Sequence, residues 1–343
     1  MDNNLPALKI LSWRGRWGLA FQETVLAPFT AETGIAVEPV HHIGLRLPAA
    51  LRGALAQGAR PTVDVVWSNT APALRASRHG WCAPLTGIDA LADLHARANL
   101  PEDGEPTIAQ AYVVPYVLVY RRACYPDGPP RSWRALFDTR HAGKVVMYPG
   151  GNGFYPIAQQ LGGGSVAEIP DRMAPCWTTV AELAPLLGRP DYSIGMETQL
   201  ARGDIDLCLR ALPNALAFMA AGLEVDWTVP EEGTTDTTDA LWIPRGLAPE
   251  VEARARAFIA FALSPRVQQR WCEALGALPM NRLATPSPAI VSHPRLPRDA
   301  DDHQAVLFVP ESVKARFESH WESNFDALLA STPRASLTCQ RAP

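Results

Sequence analysis

The first eighty residues alternate between short apolar strand patterns and amphipathic helix patterns. The strand patterns are ALKILSW, IAVEPVHHI and PTVDVVWS, and each is followed by a helix pattern, the first of which ends at Gly34. The third strand is almost entirely apolar, as is typical of a strand buried in a parallel sheet. This β-α-β-α-β-α order predicts a doubly wound α/β layer, in which ligands bind at the carboxyl ends of the strands.

A second α/β set follows, and two extended segments separate the sets. Residues 111–122 contain Pro115, which cannot donate to a strand ladder, so we interpret this segment as two strands that share a crossover. Residues 234–244 form the other extended segment. We therefore predict two lobes with a small-molecule cleft between them. Lobe I comprises residues 1–113 and 239–287, lobe II comprises residues 116–236 and 292–343, and the hinge crossovers lie near 113–118 and 236–240.

Charge and hydropathy exclude several classes of function. The net charge is -4, from 31 Lys+Arg and 35 Asp+Glu, and the chain has no long basic run, so we expect no nucleic-acid partner. No apolar run approaches the roughly 20 residues of a membrane helix. The N-terminus lacks the pattern of a secretory signal, which indicates either a cytosolic protein or a mature form without its leader.

No motif in the sequence indicates catalysis or metal binding. The six cysteines include no C-x-x-C pair and have no histidine at zinc spacing, so we expect no metal and no cofactor. Buried free thiols and a single disulfide both remain open. G-x-S-x-G, H-E-x-x-H and Walker A patterns are absent, so we expect a protein that is not an enzyme. An enzyme with catalytic groups from distant segments is the alternative.

The segment SWRGRWG follows the first strand and carries four candidate site residues: Trp13, Arg14, Arg16 and Trp17. Indole rings offer flat faces to a ligand, and arginines bind carboxylate or phosphate groups. Either tryptophan alone could also pack under a neighbouring loop. Together they favour an aromatic and cationic wall of the cleft.

Ser68, Asn69 and Thr70 follow the third strand. Their side chains could cap the next helix, contact a ligand, or do both. The position at a carboxyl strand end makes all three candidate ligand contacts.

The segment YPGGNGF contributes Gly151, Asn152 and Gly153 as candidates. Glycines ahead of a helix let backbone amides turn towards an anion. Pro156 stands where a dinucleotide-binding pattern would have its third glycine, so the alternative is a plain turn.

Arg210 ends the apolar strand LCLRA, and Asp239 lies in the second extended segment. Arg210 suits either a surface position or a ligand position. An aspartate that enters a buried strand needs a partner, and a bound amine or an arginine is the natural one.

Ordered blocks along almost the whole chain resemble one protein family. FTAETGIAV, VDVVWSN and VPEEGTTDTTDALWIPRG, with the helix pair that ends in FALSPRVQQRWCEALGALPMN, are similar to substrate-binding proteins of bacterial ABC importers, of the polyamine-binding (spermidine/putrescine) type. The resemblance implies a type II periplasmic-binding fold, a periplasmic location, a monomer and a membrane permease of an ABC importer as the partner.

By position, the resemblance implies that Trp13 and Trp17 cover a ligand amine, that Asn69 and Thr70 form a polar loop, and that Asp239 pairs with an amino group. The glycine loop lacks the family's acidic residues, and the three arginines would repel an oligocation. Our hypothesis is therefore a ligand with one amine and one acid end, such as an ω-amino acid. Asp239 would hold the ammonium, and Arg210 with the 150–153 amides would hold the carboxylate. A polyamine ligand remains the alternative.

Overall fold

The computed structural model describes residues 6–42, 46–101, 104–189 and 194–333. One mixed sheet runs through the molecule, with helices on its faces. The strands are β1 Leu8–Trp13, β2 Val37–His42, β3 Val65–Asn69, β4 Asn99–Leu100, β5 Ile108–Arg121, β6 Val145–Val146, β7 Leu207–Ala211, β8 Val225–Thr228, β9 Asp236–Trp242 and β10 Leu278–Pro279.

Twelve α-helices are present in the described ranges. They are α1 Gly15–Phe21, α2 Ala27–Thr33, α3 Ala49–Ala56, α4 Thr70–Arg78, α5 Tyr155–Leu161, α6 Ala174–Leu183, α7 Met196–Arg202, α8 Leu212–Ala220, α9 Pro249–Ala262, α10 Pro265–Leu275, α11 Pro288–Val291 and α12 Glu311–Ser331. A π-helical turn at Gln22–Leu26 joins α1 to α2. Within the described residues, none of these helices has the length and apolarity needed to cross a bilayer.

The strand order β2-β1-β3-β9-β5-β7-β6 places the N-terminal strands at one edge of the sheet. β1 pairs in parallel with β2 and β3, as the strand-helix alternation predicts. β9 is antiparallel to both β3 and β5 and therefore closes this parallel unit. β6 and β7 form a second parallel pair on the other side of β5.

β5 links the two halves of the sheet by changing its partner along its length. Its residues up to Pro115 pair with β9, and those from Tyr116 onwards pair with β7. The prediction of two separate strands is wrong, because β5 is continuous. Pro115 is tolerated because it lies where the partner changes, and Tyr116 N donates to Thr235 O at 2.9 Å just beyond it. The partner change falls within the predicted crossover at 113–118.

The C-terminal helix α12 contacts both halves of the molecule. Near its start it packs against α4, and the Arg75 guanidinium donates to Ala315 O at 3.4 Å. Further along, Trp321 Nε1 donates to Gly151 O at 3.3 Å, beside the turn that precedes α5. The predicted lobe II includes α12, whereas the helix lies against elements of both predicted lobes.

Gly18 lets α1 turn back onto the end of β1. A Cβ atom at this position would lie 2.2 Å from Trp13 O, a distance that real contacts do not show. The helix therefore lies directly over the strand end, and this fixes the positions of Trp13 and Trp17. Gly18, the second glycine of SWRGRWG, is needed for this close approach of the two backbones.

We expect Gly18→Ala to destabilise the protein by about 1–3 kcal/mol, because the strand end must move to accept the methyl group. Gly53→Ala in the middle of α3 is the matched control. A Cβ there meets nothing within 4 Å, so alanine should stabilise the helix by up to about 1 kcal/mol. Urea unfolding of both variants checks this, and an equal effect at the two positions would contradict it.

Candidate functional site

A pocket of about 380 Å³ opens at the carboxyl ends of several strands. Its walls are largely aromatic, with rings from β1, α1, β5 and the segment after β6. We call it the aromatic pocket, after its five rings, which belong to Trp13, Trp17, Tyr112, Tyr116 and Tyr148. Its polar side chains are those of Arg14, Asn69, Asn152, Asn214, Thr237 and Asp239.

The carboxylate of Asp239 is the centre of the pocket's hydrogen bonding. Trp13 Nε1 donates to Oδ2 at 2.9 Å and Tyr112 OH donates to the same oxygen at 2.6 Å. Asn69 Nδ2 donates to Oδ1 at 2.6 Å. Because these donors come from β1, β5 and β3, one carboxylate aligns three neighbouring strands at the pocket.

Asp239 is only 4% exposed, and its burial raises the pKa of the carboxyl to about 6. The hydrogen bonds from Tyr112, Trp13 and Asn69 favour the ionised form and limit this rise. The site thus holds a carboxylate whose charge is costly when no cation is near. A ligand cation would lower that cost.

Asn69 has an acceptor that no described residue uses. Its Oδ1 is buried and has no hydrogen-bond partner in the described part of the chain, while its Nδ2 is held by Asp239. Because that bond fixes the orientation of the amide, Oδ1 is an acceptor at the edge of the pocket. It would suit an N–H group of a ligand.

The aromatic walls are held in place by buried contacts. Trp67 Nε1 donates to Tyr112 OH at 3.1 Å, and the Trp17 and Tyr112 ring centroids lie 6.1 Å apart. On the opposite wall, Tyr148 OH donates to Asn214 Oδ1 at 2.8 Å. The walls are therefore preorganised, which reduces the entropy lost on binding.

A smaller polar compartment lies behind Asn69, Asn152 and Thr237, which line both cavities. We call it the inner compartment; its volume is about 30 Å³. Its charged lining consists of Arg75, Asp236, Glu311, Lys314, Glu318 and Glu322. These groups come from the second crossover, from α4 and from α12.

Lys314 neutralises part of this charge. Its Nζ lies 2.9 Å from Asp236 Oδ1 and 3.0 Å from Glu311 Oε1. Burial disfavours the ammonium, but the two carboxylates outweigh it and raise the pKa of Lys314. Burial also raises the pKa of Glu318 to about 7, and Tyr155 OH donates to this carboxyl at 3.2 Å.

Of the residues predicted from the sequence, Trp13, Arg14, Trp17, Asn69, Asn152 and Asp239 line the aromatic pocket, while Thr70 and Gly153 line the inner compartment. Ser68 is a buried residue of β3, and its hydroxyl accepts from Trp242 Nε1 at 3.4 Å. Arg16 points away and donates to Ala274 O at 3.3 Å.

Arg210 lies behind the aromatic wall and does not line the pocket. Its guanidinium carbon is 4.4 Å from the Tyr148 ring centroid, and Nη1 donates to Leu209 O at 2.9 Å. It is 5% exposed, and none of the ion pairs in the described ranges includes it. Its contact with a ligand would require movement of Tyr148.

The glycine loop packs closely against other parts of the chain. A Cβ at Gly151 would lie 2.7 Å from the Phe325 ring, and one at Gly153 would lie 2.8 Å from the Tyr116 ring. Both glycines have positive φ angles, 63° and 79°. The amide of Gly151 donates to Tyr148 O at 2.9 Å. Packing and backbone conformation therefore account for the glycines in this turn.

The sequence matches the family model of bacterial extracellular solute-binding proteins over residues 24–298. The chain belongs to this family. No curated protein matches the sequence.

Solved structures show the same fold over almost the full chain. The Atu4243–GABA receptor has 18% identity and a TM-score of 0.77, covering 96% of this chain and 100% of that chain. An ABC transporter substrate-binding protein from Bradyrhizobium japonicum USDA 110 has 17% identity and a TM-score of 0.78, with coverages of 94% and 99%. The spermidine/putrescine substrate-binding protein PotD from Streptococcus pneumoniae has 17% identity and a TM-score of 0.70, with coverages of 95% and 100%. The predicted two-lobe α/β binding-protein fold is confirmed.

Sequence reasoning missed the three tyrosines of the pocket. Tyr112 and Tyr116 lie in a strand pattern in which aromatic residues are typical of a core. Their spacing of four residues places both on one face of a strand, and the proline between them marks the crossover. Two aromatic residues on one strand face beside the predicted crossover were the sequence feature that could have indicated a wall of the cleft.

The raised pKa of Asp239 predicts how the stability of this solute-binding protein depends on pH. The folded carboxyl binds a proton more tightly than the unfolded one, so its contribution is fully present below pH 3.8 and is lost as the pH rises through about 6. We expect the free energy of unfolding of the wild type to fall more than that of Asp239→Asn between pH 4 and 7, by on the order of 2–3 kcal/mol. Urea unfolding at several pH values measures this difference, and parallel curves would contradict it.

Proposed function

We propose that this protein binds a small solute with an amine end and an acid end outside the cytoplasmic membrane and delivers it to the permease of an ABC importer. The observation that carries the proposal is the buried Asp239 carboxylate among aromatic rings, with the Arg14 guanidinium at the same pocket. A carboxylate and a guanidinium at one pocket match the two opposite charges of a zwitterion. Binding without turnover is the expected chemistry.

In this proposal the ammonium of the ligand lies beside Asp239 and donates to Asn69 Oδ1. Both groups are buried, so the interaction takes place where the dielectric is low and charge pairing is strong. The indoles of Trp13 and Trp17 offer aromatic faces to the cation and to the carbon chain.

Arg14 takes the role that the sequence analysis gave to Arg210. It lines the pocket, whereas Arg210 lies behind Tyr148. Because Arg14 is exposed, its attraction for a carboxylate is screened by water and is worth up to about 1 kcal/mol in the open site. It would favour acid-bearing amines over plain amines.

A polyamine is the second candidate, and the inner compartment favours it. Four carboxyl groups face two cationic side chains there, next to the aromatic pocket. A second ammonium of a diamine could approach these carboxyl groups through the shared wall of Asn69, Asn152 and Thr237. The solved structures with this fold include a GABA receptor and a spermidine/putrescine-binding protein, which are consistent with either ligand.

A thermal-shift screen tests the proposal. We expect ω-amino acids to raise the melting temperature, since a ligand at 100 times its Kd adds about 2.7 kcal/mol of stability. Putrescine and spermidine are the competing ligands, and a shift from these alone would replace the zwitterion with a polyamine. No shift from either class would overturn both candidates.

Arg14→Ala and Arg16→Ala form a matched pair for the acid end of the ligand. They remove the same side chain two residues apart, one at the pocket and one at the surface. We expect Arg14→Ala to weaken binding of an ω-amino acid roughly twofold to fivefold, and Arg16→Ala to leave it unchanged. Isothermal titration calorimetry measures both. Equal affinities in the two variants would remove Arg14 from the site.

Asp239→Asn should abolish measurable binding of either class of ligand, because the counter-charge of the ammonium is lost. Asp64→Asn is the control, since Asp64 is also buried but accepts from Lys9 N at 2.8 Å, away from the pocket. Circular dichroism confirms the fold of both variants before calorimetry. Retained binding in Asp239→Asn would contradict the assignment of the amine end.

A further inference from the structure

Three potential metal ligands of different types meet at the far end of β5. A sulfur of Cys124, a ring nitrogen of His141 and a carboxylate oxygen of Asp206 all lie within 4.8 Å of one another. Among the residues that the structure describes, this is the one such group found. It lies beyond Arg121, about 17 Å along the strand from Tyr116 at roughly 3.3 Å per residue, and is thus separate from the aromatic pocket.

The three groups come from separate segments that the fold holds together. Cys124 ends a 3₁₀ turn after β5, His141 ends the 3₁₀ turn Thr139–His141, and Asp206 precedes β7. Sequence spacings of 17 and 65 residues match no zinc motif, so the sequence analysis could not find the group. The fold supplies a proximity that the sequence does not reveal.

The donor set fits a zinc ion. Thiolate, imidazole and carboxylate are the three ligand types that Zn²⁺ takes, with bonds of about 2.0–2.3 Å. His141 Nδ1 already lies 3.0 Å from Asp206 Oδ2, close to the separation of two ligands on one tetrahedral ion. The Cys124 sulfur lies within 4.8 Å of both atoms and can supply a third ligand to the same ion.

Outer hydrogen bonds already orient two of the three ligands. Tyr125 OH lies 3.2 Å from His141 Nε2. His141 Nδ1 carries the proton that Asp206 Oδ2 accepts, so a metal that binds Nδ1 displaces this proton and the ring takes the Nε2–H form, in which Nε2 donates to Tyr125 OH. Arg121 Nε donates to Asp206 Oδ1 at 3.0 Å, which leaves Oδ2 for the ion. Such outer partners are the usual support of a metal site and govern its affinity.

Charge and access are compatible with a bound ion. The Arg121 guanidinium would repel a bare cation, but Zn²⁺ with one thiolate and one carboxylate has no net charge. The thiol gives its proton to the solvent as the Zn–S bond forms. His141 and Asp206 are buried and Cys124 is half-buried, so the ion has a route from solvent and a fourth position for water.

We propose that Cys124, His141 and Asp206 bind one Zn²⁺ ion and thereby tie the turn after β5 to the segments that lead into β6 and β7. The site is independent of the solute pocket. Its occupation would stiffen one end of the sheet without contact with the solute.

Cobalt substitution tests the site, because Co²⁺ reports thiolate ligation by a charge-transfer band. Untagged full-length protein, first treated with a chelator, is titrated with Co²⁺ and then with Zn²⁺. We expect one Co²⁺ per chain, a sulfur-to-cobalt band that disappears on addition of Zn²⁺, and a higher melting temperature with Zn²⁺. The absence of the band would overturn the proposal.

Four variants separate this site from adventitious binding. Cys124→Ser should lose the band, and His141→Gln should weaken Co²⁺ binding more than about tenfold; either one suffices if the other does not fold. Tyr125→Phe, which keeps every ligand, should weaken binding roughly tenfold. His95→Gln is the control, since His95 Nδ1 lies 2.7 Å from Asp301 in a pair without a thiol. Binding that is unaffected by Cys124→Ser would place the ion elsewhere and overturn the proposal.

Discussion

The Asp239 carboxylate is the interaction on which the pocket depends. It accepts from side chains of three strands, and two of these donors are also walls of the pocket. Its neighbours therefore lose their alignment if it is removed, and the pocket changes shape along with its charge. Under the proposed function, the order of the strand ends and the binding of an amine both depend on this group.

Charged side chains of α12 also contact β9, the strand that carries Asp239. Lys314 binds Asp236 at the start of β9, three residues before Asp239. Glu311 accepts from Thr238 Oγ1 at 2.9 Å, in the same strand. A buried carboxylate left without its cation is strongly destabilising, so α12 and the second crossover are held together.

Most of the architecture could be predicted from the sequence, and so could half of the candidate residues. The apolar runs that became β1 and β3, and the αL glycine at 34 that ends α2, are local signals. Trp13 and Asp239 stood out because an indole at a strand end and a carboxylate in a strand are unusual. Arg210 carried the same signal, yet its side chain lies behind the Tyr148 ring, although Ala211 at the end of the same strand lines the pocket. Which layer faces the cavity depends on sheet register and helix packing, and these are non-local.

The glycine loop is a second place where a local sequence pattern did not predict the contacts made in the fold. Glycines before a helix predict amides that are free to bind an anion, but Gly151 and Gly153 serve contacts with Phe325 and Tyr116. Phe325 is 174 residues away in the sequence, in a helix whose docking no local pattern indicates. The glycines themselves can be read from the sequence, whereas the distant ring that leaves no space for a side chain at Gly151 cannot.

Asp239 is buried and Arg14 is exposed, so we expect the two charges to contribute differently to recognition of the proposed ligand. Asp239 lies where water is excluded, so an ammonium that replaces its lost solvation gains much of the available binding energy. Arg14 stays in contact with solvent, and its attraction for a carboxylate is correspondingly weak. Because the pKa of Asp239 is about 6, an ammonium that binds below that pH must also displace a proton, and its affinity falls there. Under the proposed function, we therefore expect the buried carboxylate to determine whether an amine binds and the exposed arginine to determine which amine is preferred.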